Sequence, residues 1–267
     1  MTDTFKLRLR FSGHEIDQNG LDFYDGTYSL QGFAQALQIA IHAGLNRQIV
    51  SRATALRNAK IKIFPPTRGS VVFDIVTVIE QYPATSAMAG LAFYDFLKYS
   101  LSRAVGHFHV KPEKSAVSRL SATDETFFDE LSETLEGSLL RAHRAIDQGV
   151  ARITLERPRA PLIVFDTATN DWVRTRDENP EVEEFTGNIT RYNSISKNGR
   201  AFIRELGEIV PFRPGDDFPA SKRGFLTWSL HGDNVHAEKD LKFWAHRIQS
   251  ANDHTKRLIL VDTAQGN

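Results

Sequence analysis

The apolar and charged positions in the first half of the chain follow two different periods. Residues 5–11 (FKLRLRF) and 60–64 (KIKIF) alternate at every second position, which is typical of half-buried strands. Residues 70–79 are rich in β-branched side chains, and the breaker Pro-Pro-Thr-Arg-Gly at 65–69 predicts a hairpin with the preceding strand. We therefore expect an antiparallel sheet in this half of the chain.

Three longer segments have the apolar spacing of helices. Residues 28–45 carry apolar side chains at intervals of three and four, and residues 84–105 are apolar around most of the helix, which predicts burial. A third helix should begin near Ser121, where Ser-Ala-Thr-Asp resembles a capping box, and end near Gly149. Two further strands are predicted at 151–155 and 161–165.

The pattern changes after residue 166. Residues 167–184 are polar and acidic, which predicts a linker or long loop. A short helix is predicted near 239–250. Short apolar runs between turn residues predict strands at 187–192, 200–204, 208–212, 224–230, 234–238 and 257–262. Short strands with little helix are typical of a small β-barrel or a compact sheet.

Together these patterns predict an α+β fold with two domains. Residues 1–166 form an α+β domain with an antiparallel sheet and three helices. Residues 167–184 form the acidic linker or long loop, and residues 185–267 form a small β-rich domain that resembles a barrel.

The composition of the 267 residues excludes several kinds of chemistry. The chain has no cysteine, so it has no disulfide, no thiolate nucleophile and no Cys-based metal site. Its 33 Lys and Arg residues balance 33 Asp and Glu residues. This balance removes the long-range positive field of a general nucleic-acid binder, although a local basic patch is compatible with it.

The sequence predicts no stable membrane span. Residues 81–94 are uncharged, but they are fewer than the roughly 20 residues that a bilayer requires. The amino-terminal residues lack the apolar run of a secretory signal. We therefore expect a cytoplasmic protein.

The common catalytic and cofactor motifs do not occur in the sequence. It contains no Walker A loop and no Gly-x-Gly-x-x-Gly, Gly-x-Ser-x-Gly or His-Glu-x-x-His string. A restriction-type nuclease needs an Asp and then Glu-x-Lys to hold Mg²⁺, but Gln81 and Tyr82 follow Glu80 here. The sequence therefore gives no reason to expect a cofactor.

One pair of histidines is a candidate for metal binding. His107 and His109 are two residues apart, so both would lie on one face of an extended segment and could share a metal ion. The alternative interpretation is a loop after a buried helix, with two partly exposed histidines and no metal.

A second group combines imidazole and carboxylate side chains within eight residues. It consists of His231, Asp233, His236 and Glu238, which could act as acids, bases or ligands. The same run also predicts a hairpin turn at Gly-Asp-Asn, followed by a strand. The first interpretation predicts a catalytic site, and the second predicts only structure.

A third group lies in the predicted barrel and consists of Arg191, Tyr192, Lys197 and Arg200. Basic side chains beside a tyrosine on a small barrel can bind a phosphate backbone and stack on a base. These four residues are therefore the candidate site for a nucleotide or nucleic acid. The alternative is an ordinary solvated surface, which the acidic residues just before this group favour.

The first predicted helix carries a polar stripe without formal charge. The stripe consists of Gln31, Gln35, Gln38 and His42. An exposed helix of a monomer usually carries Lys and Glu pairs, whereas the centres of protein interfaces are depleted of charge. We therefore expect this helix to pack on both sides, either within its own domain or against another subunit.

The first 110 residues contain several distinctive short strings: Leu21 to Asp25, Leu30 to Phe33, Pro65-Pro66 with Gly69-Ser70, Tyr94 to Phe96, and Gly106 with Phe108. Together these strings resemble an uncharacterised family of bacterial hypothetical proteins. The resemblance implies an association with mobile or defence gene sets, and it implies no activity or catalytic residue.

We expect a non-enzymatic binding or assembly protein, such as a sensor or scaffold subunit of a bacterial anti-phage defence system. The reasons are the missing catalytic motifs, the uncharged helix and the two-part layout. A protein partner or a homo-oligomer is expected, and a nucleotide or nucleic acid is a further candidate ligand. One alternative is a hydrolase of nucleotides or nucleic acid, and another is a peripheral membrane component that uses the aromatic second helix.

Overall fold

The computed structural model describes residues 2–13, 16, 19–51, 56–64, 71–84, 86–175, 181–234 and 239–266, without the side chains of 233 and 234. The chain forms two compact units, Met1–Arg174 and Thr175–Asn267. Each unit encloses its own cluster of buried apolar side chains. The predicted α+β class is confirmed, with an antiparallel sheet and helices in the first unit and a closed barrel in the second.

The first unit contains an antiparallel sheet of order β2-β3-β1-β4-β5 in the part of the chain that the structure describes. Its strands are β1 (Asp3–Ser12), β2 (Ala59–Ile63), β3 (Val72–Ile79), β4 (Arg152–Arg157) and β5 (Ala160–Phe165). Its helices are α1 (Phe23–Asn46), α2 (Ala92–Ala104), α3 (Ser115–Thr123), α4 (Glu125–Ala142) and α5 (Thr167–Val173).

The period-two pattern of β1 determines which face of the sheet meets the core. Phe5, Leu7, Leu9 and Phe11 are at most 7% exposed and belong to the apolar cluster of this unit. The alternate Lys and Arg side chains lie on the opposite face, because successive side chains of a strand point to opposite sides. Strand β1 is central in the sheet, so its alternation separates the helix-covered face from the charged face.

Helix α1 begins earlier than the sequence pattern predicted. The carboxylate of Asp22 accepts a hydrogen bond from the backbone N–H of Asp25 at 2.9 Å and caps the helix, which starts at Phe23 instead of Tyr28. The pattern pointed to Tyr28 because the apolar stripe only becomes regular from Leu30 onward.

The second and third predicted helices need correction. Helix α2 begins at Ala92 instead of Ala84. The third helix, predicted from near Ser121 to Gly149, is α4, which runs from Glu125 to Ala142, and the short helix α3 before it was not predicted. Asp124 lies between α3 and α4, and its side chain accepts a hydrogen bond from Phe127 N–H at 3.3 Å. The cap of the long helix is therefore Asp124 and not Ser121.

The segment 167–184, predicted as a linker or long loop, contains regular structure at both ends. Asp166 and Thr169 form a capping box that starts α5 at Thr167. Strand β6 begins at Val182, and residues 176–180 lie outside the described part of the chain. The sequence did not predict this capping box because Asp and Thr are common both in loops and at the start of helices.

The second unit is a closed barrel. Its strands are β6 (Val182–Tyr192), β7 (Gly199–Ile203), β8 (Glu208–Pro214), β9 (Leu241–Gln249) and β10 (Thr255–Gln265). Around the barrel the order is β6-β7-β8-β10-β9, and β9 pairs again with β6. Strands β8 and β10 are parallel, and the other neighbours are antiparallel. Helix α6 (Arg223–Asn234) connects β8 to β9.

Two segments of this unit have the opposite structure from the prediction. Residues 224–230, predicted as a strand, belong to α6, and residues 241–249, predicted as a helix, form β9. In β9, Leu241, Phe243 and Ala245 are fully buried and alternate with polar or half-buried residues, which is a strand pattern. The predicted strand at 234–238 lies almost wholly outside the described residues.

The sequence predicts no stable membrane span. Among the residues that the structure describes, no helix combines the length and the apolar character needed to cross a membrane.

Candidate nucleic-acid interface

The outer surface of β7 and β8 is defined by which side chains of these strands are buried. The inward side chains are at most 3% exposed and fill the barrel: Ala201, Ile203, Val210 and Phe212. Because the side chains of a strand alternate, the residues between them face outward. These outward residues are Arg200, Phe202, Ile209, Pro211 and Arg213.

The strand register brings basic and apolar side chains side by side on this surface. Arg200 pairs with Arg191 of β6 on one side and with Pro211 of β8 on the other. Phe202 pairs with Ile209 in the next outward row. Directly paired residues have Cβ atoms about 4.5–5.5 Å apart. We call Arg191 and the five outward residues together the β7–β8 face.

The loop between β6 and β7 is short and internally bonded. The side-chain oxygen of Asn193 accepts hydrogen bonds from the N–H groups of Ile195 and Ser196, at 2.9 and 3.2 Å. Ile195 is 91% exposed at the tip of the loop. Lys197 has a φ of 64°, a left-handed conformation that Gly or Asn adopts at lower cost. The loop thus presents an apolar and a basic side chain beside the end of the β7–β8 face.

The charge of the barrel is unevenly distributed along the chain. Residues 185–204 contain four basic residues and no acidic residue. The acidic residues before them are engaged with β9, since Glu184 pairs with Lys242 at 3.1 Å and Glu183 with Arg247 at 3.3 Å. The acidic stretch that favoured an ordinary surface therefore lies beside β9 and not on the β7–β8 face.

Tyr192 is oriented differently from the other three predicted ligand-binding residues. Its ring stacks on Phe212 of the barrel core, with the ring centroids 6.2 Å apart and the planes at 9°. Burial raises the pKa of the Tyr192 hydroxyl, and the nearby charge of Arg223 opposes this. Tyr192 thus packs against the barrel core, whereas Phe202 is an aromatic side chain of the outer face.

Phe202, Ile209, Pro211 and Arg213 were not among the predicted ligand-binding residues. The period-two pattern of residues 200–203 and 208–213 carries the signal that they face outward. The sequence alone did not predict the strand register, which pairs Arg200 with Pro211 and Phe202 with Ile209.

The strand order of the barrel is that of the oligonucleotide- and oligosaccharide-binding (OB) fold. Numbered within the barrel, the strands follow the order 1-2-3-5-4-1, with strands 3 and 5 parallel and a helix between strands 3 and 4. Barrels of this class bind ligands on strands 2 and 3 and on the loops that join strands 1 to 2 and 4 to 5. Here those strands are β7 and β8. A fold by itself does not determine function, which depends on the side chains that the fold presents.

The predicted acid-base group is only partly described. His231 is exposed near the end of α6, so the predicted hairpin turn at 232–234 is wrong and that segment is helical. Asp233 is also on α6, and its side chain is not described. His236 and Glu238 lie outside the described residues.

The predicted metal pair lies in the loop after α2. The ring centroids of His107 and His109 are 5.6 Å apart. Burial lowers the pKa of His107, the charge of His109 lowers it further, and Asp166 opposes both. Among the described residues there is no group of three or more His, Asp or Glu side chains that could hold a metal ion.

The four predicted interface residues of α1 have different environments. Gln31 is exposed, Gln38 is half-buried, and His42 is only 8% exposed. The side-chain oxygen of Gln35 accepts a hydrogen bond from the guanidinium of Arg141 on α4. Burial lowers the pKa of His42, and the charge of Arg57 adds to this. Part of the stripe is therefore engaged within the chain, and the interface itself stays a prediction.

Comparison with known families gives one match. A family model described as a domain of unknown function, DUF7946, matches residues 7–174, which is more than half of the chain. The chain therefore belongs to that uncharacterised family. Comparison with curated proteins and with solved structures finds no match.

Proposed function

We propose that this member of the DUF7946 family is a non-enzymatic binding protein whose barrel binds single-stranded nucleic acid. The observation that carries the proposal is the β7–β8 face, where Arg191 and Arg200 lie in one row and Phe202 and Ile209 in the next. This face occupies strands 2 and 3 of an OB-type barrel, which are the ligand-binding strands of that class.

The side chains of the face suit the two chemical parts of a single strand. The guanidinium groups of Arg191, Arg200 and Arg213 can bind phosphate oxygens, for which their planar donor geometry is suited. Phe202 and Ile209, the latter 48% exposed, offer apolar surface to base faces. A duplex hides its base faces within the stack, so this combination favours a single strand.

The neutral net charge limits how strong and how salt-dependent the binding is. With about three phosphate contacts, the logarithm of the affinity should fall with the logarithm of salt concentration with a slope of roughly −2. A slope close to zero would show that phosphate contacts do not contribute, and would contradict the proposed role of the arginines.

In the cell, we propose a cytoplasmic sensor or scaffold subunit of a bacterial defence system. What supports this is the resemblance of the first 110 residues to bacterial proteins associated with such gene sets. The uncharged outer side of α1, including Gln31, is the surface proposed for a protein partner or a second copy.

The test is fluorescence anisotropy with labelled oligo-dT and oligo-U of 20 nucleotides. We expect binding by the wild type to weaken about 5- to 10-fold in Arg200→Ala and in Phe202→Ala. Lys197→Gly should weaken binding while keeping or raising the melting temperature, because Gly adopts the left-handed conformation more easily.

The matched control is Lys242→Ala. Lys242 lies on β9, beside the acidic residues, and its ammonium pairs with Glu184. Its removal should leave oligonucleotide binding unchanged. Equal weakening by Lys242→Ala and Arg200→Ala, or no binding by the wild type at micromolar protein, would refute the proposal.

A further inference from the structure

The charged face of the first unit contains a groove outside the barrel. It has a volume of about 790 Å³ and lies between β1 and β3 on one side and the β4–β5 hairpin on the other. Pockets for small ligands commonly have volumes of about 300–1,000 Å³. The groove is therefore large enough for a molecule of nucleotide size.

The charges that line the groove have an excess of cations. Lys6, Arg8, Arg157 and Arg159 line it, together with the carboxylates of Asp74 and Glu156. Both carboxylates are already paired, Asp74 with Arg8 at 2.8 Å and Glu156 with Arg10 at 3.0 Å. These pairs neutralise the two negative charges, so the groove presents a positive surface suited to an anion.

Arg159 has a backbone conformation that its side chain does not favour. Arg157 pairs with Ala160, so Pro158 and Arg159 form the tip of a two-residue hairpin. The φ of Arg159 is 71°, at a turn position where Gly or Asn is usual. Arg159 is exposed and lines the groove at this turn.

The groove also has an aromatic wall. Phe64 lines it and is 48% exposed. Pro158 and Pro161 add apolar surface on the hairpin side. Aromatic and apolar walls with a few charged groups are typical of sites for ligands that combine a ring with a charged group.

We propose that this groove binds a nucleotide, with its phosphates on Arg157 and Arg159 and its base against Phe64. Guanidinium groups match phosphate oxygens in geometry and charge, and the aromatic ring matches a planar base. The proposal does not depend on the barrel, because all the residues that carry it belong to the first unit.

The test is isothermal titration calorimetry of the full chain with ATP, GTP, CTP and UTP. At least one triphosphate should bind with a Kd below about 1 mM, which corresponds to a modest small-molecule site. Arg159→Gly should weaken that binding about tenfold, as expected for the loss of a charge-assisted contact. Because Gly suits the left-handed turn, the melting temperature of this variant should be unchanged or higher.

Lys197→Gly is the matched control, because it also replaces a left-handed basic residue with Gly but in the barrel. It should leave nucleotide binding at the groove unchanged, and Arg159→Gly should leave oligonucleotide binding unchanged. Nucleotide binding that Lys197→Gly weakens and Arg159→Gly does not would belong to the barrel and would overturn the groove proposal. Inorganic tripolyphosphate and the nucleoside of the best ligand should each bind more weakly than the nucleotide.

Three further results would also overturn the proposal. The first is that none of the four triphosphates binds at millimolar concentration. The second is equal binding by wild type and Arg159→Gly. The third is binding of tripolyphosphate as tight as that of the best nucleotide, since the ring would then contribute nothing.

Discussion

His143 follows α4 directly and has no exposed surface. Its Nδ1 lies 2.7 Å from the carbonyl oxygen of Leu139, and its Nε2 lies 2.9 Å from the hydroxyl oxygen of Thr169. A carbonyl oxygen only accepts, so Nδ1–H donates to Leu139, while the Thr169 hydroxyl near Nε2 also donates to the carbonyl oxygen of Asp166 at 2.9 Å. Burial is the largest effect on this residue, and it lowers the pKa of His143 from its ordinary value of 6.5.

This buried imidazole should make the stability of the first unit pH-dependent. Burial disfavours protonation of His143 in the folded state, whereas the unfolded state takes up a proton near pH 6.5, so acidification favours unfolding. The contribution of His143 is fully present above about pH 6.5 and is lost as the pH falls towards the lowered folded pKa. We expect urea unfolding to show a falling free energy of unfolding between about pH 7 and 5.5.

The variant that isolates this effect is His143→Gln, whose side chain is polar but does not take up a proton. Its free energy of unfolding should depend less on pH than that of the wild type. His42 and His107, whose pKa values burial also lowers, act in the same direction, so some dependence remains. His231→Gln, at an exposed position on α6, is the control. An unchanged slope in His143→Gln would contradict the assignment.

At the scale of elements, α1 and α4 approach closely because α1 has a glycine at their contact. A Cβ at Gly32 would lie 2.7 Å from both Ala142 Cα and Ser138 O, which are backbone atoms of α4. The hydroxyl of Ser29, one turn earlier, donates a hydrogen bond to the carbonyl oxygen of Ala142. The small residues Ser29 and Gly32 of α1 therefore allow this contact.

Two glycine substitutions in these helices should have opposite effects. Gly32→Ala should destabilise the protein by about 1–3 kcal/mol, because the added methyl group overlaps with backbone that cannot move aside easily. Gly137→Ala on α4 meets nothing within 4 Å, and it should stabilise by about 0.5–1 kcal/mol through helix propensity. Thermal and urea unfolding of both variants would test this. Stabilisation by both would show that the helices can separate at no cost.

At the scale of the whole molecule, each unit has its own apolar cluster and its own proposed ligand. The cluster of the first unit is built on β1 and the helices, and the cluster of the second unit fills the barrel. The match to DUF7946 ends at Arg174, which is also the last residue of the first unit. The two units can therefore be studied as separate folding units.

We expect residues 1–174 and 175–267 to fold when each is produced alone. Each fragment should unfold cooperatively, because its core is internal to it. The first fragment should retain nucleotide binding and the second oligonucleotide binding. Circular dichroism with denaturant and the two binding assays would measure this. A fragment that stays unfolded would show that its core is incomplete without the rest of the chain.

Some residues of the candidate site could be predicted from the sequence, and others could not. Arg191 and Arg200 were predicted from their basic pattern, and the register places them as neighbours. Tyr192 has the same local pattern, yet it stacks on Phe212, because it pairs with the buried Gly199 and therefore faces inward. The groove was not predicted, since it joins residues from β1, β3 and the β4–β5 hairpin that are far apart in sequence.

The sequence by itself determined the α+β class, the alternation of β1 and the existence of a barrel-like second half. These follow from local periodicity, which decides which side of a strand or helix is apolar. Only the tertiary structure decided that residues 224–230 are helical and 241–249 are a strand. A short apolar run is compatible with either a helix or a strand, and its packing partners decide which one forms. The tertiary structure also decided which basic residues lie side by side, since strand register depends on contacts between distant parts of the chain.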